Sequence, residues 1–527
     1  MDRRTLLRGG LAGLGGVAAS SLVGACAPTD PLPPGPWDCG VASGVHSDTA
    51  VVLWTRFAPA AVGPSVELAW TVAADPELTR VVASGVGSAA ASSDGCCKVL
   101  AEGLEPGSTY WYRFEVDGLT SPTGRTRTLP AATGSPRRVR LAVASCQQYT
   151  AGYFPAWRAI AEEPDIDAVV HLGDYIYESG GWSPFDVRSD GVGTAEDLAG
   201  YRAKYRVYRG DPDLRAAHAA HPFATVWDDH ELVNDYHRLT LVEDAARARA
   251  AYRAWWEYQP VWPIEGDRIH RSVRFGDLLE LALLDTRQYR DPQPMTPDGA
   301  RPVFGATLDH PNRVVHDEDR TILGPDQRRW LFDRLGAAEQ DGVTWKLLGN
   351  QVMISPIRII DLDEPYVRSM VDDLPRHAGV YINFDDWDGY QVERDLLLDH
   401  IAQEGVANVG VLTGDIHSFW QSGVRQDFDD ARSPVVLQEF VCGSISSRGA
   451  DFTGDLAPEL ARAVRTARPG FRFVDLTRRG YGLVELTPEH ARVEFQRVDA
   501  LSRRSEPRLL ARFDWPAGTQ QVTVSRS

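Results

Sequence analysis

Two stretches of the chain share one pattern, a short apolar and β-branched run that breaks at a Gly-Asp pair. They are AVVHLGDYIYE at residues 168–178 and VANVGVLTGDIH at residues 406–417. Each pattern predicts a buried strand that leads into a loop. The glycine lets the backbone turn sharply at the end of the strand.

Strand-like and helical patterns alternate from residue 138 onward. Buried strands are predicted at residues 139–144, 168–172, 224–227, 278–284, 345–348 and 406–412. Helical periodicity lies between them, for example at residues 244–258 and 325–335. This alternation predicts an α/β arrangement for residues 138–510.

Residues 37–132 have a different pattern. Short alternating runs, such as residues 50–55 and 66–72, are separated by Gly, Asp and Ser turns. They predict an antiparallel β-sandwich of about 95 residues, and residues 104–114, LEPGSTYWYRF, resemble the tyrosine-corner strand of fibronectin type III-like domains. Cys39, Cys96 and Cys97 lie in this region, and an oxidising compartment would let Cys39 pair with either of the other two.

The N-terminus has the features of an export signal. Residues 2–8, DRRTLLR, form a twin-arginine pattern, and residues 9–25 are too short and too rich in small residues for a stable membrane span. LVGAC at residues 22–26 resembles a lipoprotein cleavage box with Cys26 as the lipidated residue, whereas Pro28 disfavours cleavage after Ala27. Residues 1–27 therefore predict twin-arginine export with a lipid anchor, and free secretion is the alternative. Residues 28–36 predict an extended, proline-rich linker.

Length, composition and net charge limit the possible classes of function. The chain has 527 residues and 43% hydrophobic residues, enough for a large core and two domains. Its formal net charge is -18. Residues 1–25 carry a net charge of +2, so the chain without them would carry about -20. Such a field repels polyanions, which argues against nucleic-acid binding as the main task.

Polar residues follow the predicted strands, at residues 145–146, 173–174, 228–231, 285–287, 349–351 and 414–417. Ligands of α/β proteins bind beyond the carboxyl ends of strands, and Asp offers two oxygens to a cation. Asp174 and Tyr177 would point the same way in a helix that starts at Gly173. Asp415 and His417 would share one face of an extended segment. The pattern predicts a metal site, although either Asp alone could merely cap a helix.

The segments ASCQQY, HLGDYIYE, WDDHE followed by ND, LLDTRQYR, LLGNQV and LTGDIHSFW resemble the PhoD-like alkaline phosphatase and phosphodiesterase family, a branch of the calcineurin-like metallophosphatases. The N-terminal β-domain and the leader agree with this resemblance. It implies an α+β protein, with a fibronectin type III-like β-sandwich before a four-layer αββα metallophosphatase domain whose C-terminal segment covers the site. It also implies ferric iron and two calcium ions acting on phosphate monoesters or diesters.

The resemblance extends to individual metal ligands. Those implied are the thiolate Cys146, the bridging carboxylate Asp174, the phenolate Tyr177, Asp229 at a position usually held by Asn, and the pair Asp415 and His417. Asn350 and Asn234 are weaker candidates for calcium or phosphate contact. A thiolate and a phenolate are anionic donors that suit a trivalent iron. The alternative is that Cys146 is a buried small hydrophobe and that Tyr177 packs in the core.

Two residues are candidates for catalysis. A metal-bound hydroxide or oxide is the expected nucleophile, and His230 would assist the leaving oxygen or hold the phosphate; alternatively it orients Asp229. Arg287 would contact phosphate in a bidentate manner or form a structural salt bridge. The predicted function is phosphate scavenging by an exported phosphoesterase. The alternatives are a phospholipase D-like diesterase and a non-catalytic surface-binding protein.

Overall fold

A computed structural model of the chain describes residues 35–526, apart from residues 59–63, 181–182, 184, 295–314, 362–365, 367–368, 370–378, 382 and 468–469. The predicted leader, with Cys26, and nearly all of the predicted linker lie outside the described residues. Among the helices that the structure describes, none combines the length and apolar character needed to cross a bilayer.

Ten strands form the largest sheet. They are β1 (Val41–Val45), β2 (Ala50–Arg56), β5 (Cys96–Glu102), β9 (Val139–Ala144), β10 (Ala168–His171), β11 (Pro222–Thr225), β21 (Arg479–Leu486), β22 (His490–Val498), β23 (Arg508–Pro516) and β24 (Thr523–Arg526). Their order is β24-β23-β22-β21-β9-β10-β11-β1-β2-β5. Strands β9, β10, β11 and β1 run parallel, so the carboxyl ends of β9, β10 and β11 meet at one edge.

A second sheet has seven strands. They are β12 (Arg271–Phe275), β13 (Leu279–Leu283), β14 (Trp345–Asn350), β17 (Val409–Thr413), β18 (Phe419–Arg425), β19 (Val435–Cys442) and β20 (Phe471–Asp475). Their order is β12-β13-β14-β17-β19-β18-β20, with β13, β14, β17 and β19 parallel. The two sheets pack face to face in one apolar core, where Trp345 lies 4.9 Å from Trp515 between ring centroids. A separate hairpin joins β15 (Arg358–Asp361) to β16 (Gly379–Tyr381).

Helices cover both sheets. In chain order they are α1 (Pro155–Glu162), α2 (Leu198–Gly210), α3 (Pro212–Ala220), α4 (Thr240–Glu243), α5 (Ala245–Tyr258), α6 (Pro325–Gln340), α7 (Gln391–Gln403) and α8 (Ala457–Ala467). Helices α1, α2, α3 and α5 bury their apolar residues in the core of the ten-stranded sheet. Helices α6 and α7 pack on the seven-stranded sheet through Leu331, Leu335, Leu397 and Leu398. The layers are therefore helices, sheet, sheet, helices.

The N-terminal strands form two layers. Strands β3 (Ser65–Ala73), β4 (Val81–Ala90), β6 (Thr109–Val116), β7 (Leu119–Thr120) and β8 (Gly124–Arg127) make a five-stranded sheet. It packs on β1, β2 and β5 through a core that includes Leu53, Leu68 and Tyr112. Because β1 pairs with β11, with Ser43 opposite Pro222, the second layer of this sandwich is the edge of the ten-stranded sheet. The boundary predicted between residues 132 and 138 therefore does not interrupt the sheet, and the fibronectin type III-like assignment stays a prediction.

The sequence predicts a tyrosine corner and a possible disulfide in this region. The hydroxyl oxygen of Tyr110 accepts a hydrogen bond from the backbone N–H of Glu105 at 2.9 Å, the geometry of a tyrosine corner. The disulfide, in contrast, is not formed, because Cys39, Cys96 and Cys97 are all free, buried thiols. Neighbouring residues of a strand point to opposite faces, so Cys96 lies in the same apolar cluster as Cys39 while Cys97 lies in the sandwich core.

Candidate metal centre

The predicted ligands lie where strands of both sheets end. Cys146 follows β9, Asp174 follows β10 and Asp229 follows β11, whereas Asp415 and His417 follow β17 of the other sheet. Face-to-face packing brings these loops together at one end of the molecule. The predicted position beyond the carboxyl ends of strands is therefore the position found.

The backbone of these loops is turned sharply. Cys146, Asp174, Asp415 and His417 have φ angles of 57°, 56°, 58° and 53°, in the left-handed region. Such residues cost on the order of 1–3 kcal/mol each and cluster at functional sites. Gly173 has a φ of 100°, and a Cβ there would lie 2.4 Å from the backbone nitrogen of Asp228.

These angles correct two local predictions. The structure has a loop, not a helix, at residues 172–178, although the Tyr177 hydroxyl still reaches the Asp174 carboxylate. Asp415 and His417 do not share one face of an extended segment, because both residues are left-handed. Residue spacing predicts the direction of a side chain only where the backbone angles are those of a regular helix or strand. The backbone angles of this strained loop are not regular.

Ligand atoms gather in three groups. Within each group the atoms lie within 4.8 Å of one another, and the groups are Cys146, Asp174 and His417; Asp174, Asp229 and His230; and Asp228, Asp229 and Asp415. Asp174 belongs to the first two groups and Asp229 to the last two. The structure therefore places three neighbouring candidate cation sites that share carboxylates.

Tyr177 completes the first group. Its hydroxyl donates to the Asp174 carboxylate at 2.8 Å, lies 3.0 Å from Nε2 of His417 and accepts from the Ser447 hydroxyl at 2.7 Å. Nδ1 of His417 lies 2.8 Å from the carbonyl oxygen of Arg448, an acceptor that holds the proton on Nδ1 and leaves Nε2 free as a ligand. Sulfur, phenol, carboxylate and imidazole therefore face one point.

The charges at the site fit bound cations. Burial, and after it the charge of Asp174, raise the pKa values of the Cys146 thiol and the Tyr177 phenol. Burial, and after it the charge of Asp228, raise the pKa of Asp415 even though Arg287 opposes this. The buried Oδ2 atom of Asp228 has no hydrogen-bond partner. A cation among these groups would supply the positive charge that they require in order to ionise.

Glu231 holds two of the loops together. This buried carboxylate accepts hydrogen bonds from the backbone N–H groups of Asp174 at 3.0 Å, Tyr175 at 2.6 Å and Asp228 at 2.9 Å. Sequence reasoning gave it no role. Its signal was its position at the end of the Asp-Asp-His-Glu segment.

His230 pairs with a second residue that sequence reasoning missed. Its Nδ1 atom lies 2.7 Å from a carboxylate oxygen of Glu178, and its ring stacks on Tyr177 with centroids 4.0 Å apart. Burial opposes protonation of the imidazole, but the charges of Asp229, Asp174 and Glu178 together raise the pKa of His230 to about 10. The side chain is 16% exposed, so a protonated Nε2 can face a ligand.

Arg287 forms ion pairs with several acidic side chains. Its side chain is fully buried, and it pairs with Asp228, with Asp385 at 2.7 Å, with Asp415 at 3.2 Å and with Asp229 at 3.7 Å. All three guanidinium nitrogens therefore face carboxylates. These ion pairs fit the salt-bridge alternative, and phosphate contact by Arg287 stays a prediction.

The two asparagines that the sequence singles out make hydrogen bonds within the protein. Asn350 ends β14, where its side-chain nitrogen donates to the carbonyl of Val352 and its oxygen accepts from Trp387 at 3.4 Å. Asn234 is exposed, and its backbone N–H donates to Glu178 at 3.3 Å. The roles of both asparagines in calcium or phosphate contact stay predictions. Ser447, which no ligand prediction included, contacts Tyr177 directly.

Comparisons with known proteins agree with this geometry. A family model described as PhoD-like phosphatase matches residues 141–495, and one described as PhoD-like phosphatase, N-terminal domain, matches residues 25–130. Alkaline phosphatase D of Bacillus subtilis (strain 168) is 34% identical over 525 residues, covering 94% of this chain and 84% of that protein.

Solved structures show the same fold. The structure of PhoD has a TM-score of 0.82 at 31% identity and covers 93% of this chain and 92% of its own. A purple acid phosphatase, PPD1 from yellow lupin (Lupinus luteus) seeds, has a TM-score of 0.52 at 11% identity and covers 89% of this chain and 72% of its own. At that identity the second likeness shows the fold alone.

Proposed function

Because the chain belongs to the PhoD-like phosphatase family and is a hydrolase of phosphoric esters, we propose that it is metal-dependent and hydrolyses phosphate monoesters and diesters outside the cytoplasm, for phosphate scavenging. The observation that carries the metal dependence is the set of three ligand groups sharing Asp174 and Asp229. Export, with or without a lipid anchor at Cys26, rests on the sequence of residues 1–27.

We assign ferric iron to Cys146, Asp174, Tyr177 and His417, because a thiolate and a phenolate stabilise a trivalent ion. The group of Asp228, Asp229 and Asp415 offers carboxylate oxygens alone, which suit calcium. When bound, these cations would neutralise phosphoryl charge and lower the pKa of water.

The protein groups around the cations have separate tasks. Glu178 holds His230 so that its Nε2–H points away from the carboxylate, from where it can donate a proton to the departing alcohol. Arg287 and Glu231 fix the carboxylate loops, Arg287 by ion pairs and Glu231 through backbone N–H groups. The cations, when bound, would hold the phosphate, and Arg287 acts as a positioning residue for the carboxylates.

A chelation experiment tests this function. The purified protein is assayed with p-nitrophenyl phosphate and bis-p-nitrophenyl phosphate before and after chelation, and its metals are quantified. We expect both activities to be lost with the metals and restored by calcium with iron. Full activity in a protein shown to contain neither metal would contradict the proposal.

A further inference from the structure

A basic pocket shares no wall residue with the ligand groups of the metal centre. It has a volume of about 440 Å³ and lies between α8, the loop after β20 and the end of β24. The charged residues in its wall are Arg462, Arg465, Arg478, Arg526, Asp455 and Asp475. We call it the arginine pocket.

One pair in the arginine pocket is already neutral. Asp475 forms an ion pair with Arg478 at 2.5 Å and also accepts backbone hydrogen bonds from Thr477 at 3.3 Å and from Arg478 at 3.0 Å. Its carboxylate is 10% exposed. It is therefore committed to its own loop and does not neutralise the other arginines.

The other three arginines lack a carboxylate partner. Within the part of the chain that the structure describes, no ion pair joins Arg462, Arg465 or Arg526 to an acidic residue, and Asp455 is the one remaining acidic group in the wall. The Nε atom of Arg465 is shielded from solvent and has no hydrogen-bond acceptor. Three positive charges against one negative charge leave a net charge of +2 in a chain whose total is -18.

The guanidinium groups of Arg462, Arg465 and Arg526 repel one another in the arginine pocket. Burial, and after it the charges of Arg526 and Arg462, lower the pKa of Arg465. Arg526 is held in place, since its guanidinium lies 5.4 Å from the ring centre of Phe473 and donates to the carbonyl of Arg472 at 3.5 Å. An anion between the guanidinium groups would relieve their repulsion and accept their N–H groups.

The arginine pocket is joined to the metal centre by one loop contact. Leu476, in the wall of the pocket, accepts a hydrogen bond from the N–H of Ala450 at 2.9 Å. A Cβ on Gly449 would lie 2.5 Å from the carbonyl oxygen of His417 and 2.6 Å from that of Leu476, so the three segments touch at this glycine. One residue in the wall of the arginine pocket, Leu476, therefore neighbours the backbone of one ligand residue of the metal centre, His417.

From this arrangement we propose that the arginine pocket binds a phosphate-type anion, and that this anion is the second phosphoryl group of a substrate that carries two. The proposal rests on the phosphoesterase function proposed above. The planar, multidentate donors of arginine match a phosphoryl group better than a carboxylate of unrelated geometry. The same chemistry would also accept free inorganic phosphate.

The test compares a substrate with one phosphoryl group and substrates with two. The metal-loaded protein is assayed with p-nitrophenyl phosphate and with α,ω-alkanediol bisphosphates of increasing length. The variant is R462Q/R465Q/R526Q, and the control is R80Q/R329Q/R432Q, which removes the same charge from arginines that are 70%, 70% and 93% exposed elsewhere. Melting temperatures check that both variants fold.

We expect the wild type to hydrolyse one length of bisphosphate with a kcat/KM roughly tenfold above that of the corresponding monophosphate, an advantage typical of charge-assisted hydrogen bonds. The variant should lose this advantage and the control should keep it, while hydrolysis of p-nitrophenyl phosphate stays within about twofold in both. Non-competitive inhibition or activation by inorganic phosphate that disappears in the variant alone would identify free phosphate as the occupant and support the anion site.

Two results would overturn the proposal while wild-type hydrolysis of p-nitrophenyl phosphate remains intact. One is the absence of both effects in the wild type. The other is an equal loss in the control, which would show a general charge effect. Failure of the wild type to hydrolyse p-nitrophenyl phosphate at all would instead count against the proposed function.

Discussion

Substitution of Glu178 by glutamine should shift the pH dependence of catalysis. Glu178 lies 2.7 Å from Nδ1 of His230, and both side chains are largely buried. Burial lowers the pKa of His230, whereas the charges of Asp229 and Asp174 and the contact with Glu178 raise it. Cations at Asp229 and Asp174 would offset the first two, so the contact with Glu178 is the cause that this substitution removes. The protonated imidazole is lost as the pH rises through the pKa of His230, so an activity that needs this proton falls on the alkaline side.

The size of the shift follows from the contact. A hydrogen bond to a charged group contributes about 1.5–3 kcal/mol, and one pH unit corresponds to about 1.4 kcal/mol. Glutamine keeps the shape but not the charge of Glu178. The alkaline limb should therefore move down by about one to two pH units.

The measurement is kcat/KM against pH for an alkyl phosphate, whose leaving alcohol requires a proton, and for p-nitrophenyl phosphate, whose leaving group does not. We expect the shift with the alkyl ester alone, and loss of the limb in His230→Gln. Glu163→Gln is the control, because Glu163 pairs with Arg140 at 2.9 Å at the amino end of β9, whereas the metal centre lies beyond the carboxyl end of that strand. Superimposable profiles of wild type and Glu178→Gln would refute the assignment of His230 as the proton donor.

Three further outcomes are expected. Tyr177→Phe should lose the visible absorption band of a ferric phenolate, and its iron content should fall in elemental analysis; an unchanged band would show that the phenol is not a ligand. Glu231→Gln replaces one carboxylate oxygen by an N–H donor, so at least one backbone N–H loses its acceptor. The free energy of unfolding, measured by denaturant titration, should therefore fall by about 1–3 kcal/mol. The exposed Glu489→Gln is the control and should leave the free energy of unfolding unchanged. In calorimetry, the chelated protein should be less stable at pH 8 than at pH 5, because burial raises the pKa of Asp229 to about 6. Between the ordinary pKa of an aspartate and 6, the folded state binds more protons than the unfolded state, so stability falls as the pH rises. The metal-loaded protein should not show this loss.

Much of the secondary structure could be predicted because apolar periodicity is a local property. The predicted strand at residues 139–144 matches Val139–Ala144, and the predicted helix at residues 244–258 matches Ala245–Tyr258. The predicted helix at residues 325–335 extends further, to Gln340. The partners of β1 could not be predicted in the same way, since its pairing with β11 joins residues that are far apart in the sequence.

The metal centre, like the fold, has features that follow from the local sequence and features that depend on contacts between distant segments. The sequence by itself determined which chemical groups follow the strands, because Gly-Asp and Asp-Asp-His-Glu end apolar runs whose burial is set by their own composition. Only the tertiary structure decided that Asp415 and His417 enter different ligand groups, that Arg287 faces carboxylates and that Glu178 holds His230. The physical reason is that side-chain contacts depend on left-handed loop angles and on the packing of two sheets, and neither is encoded in the spacing of neighbouring residues.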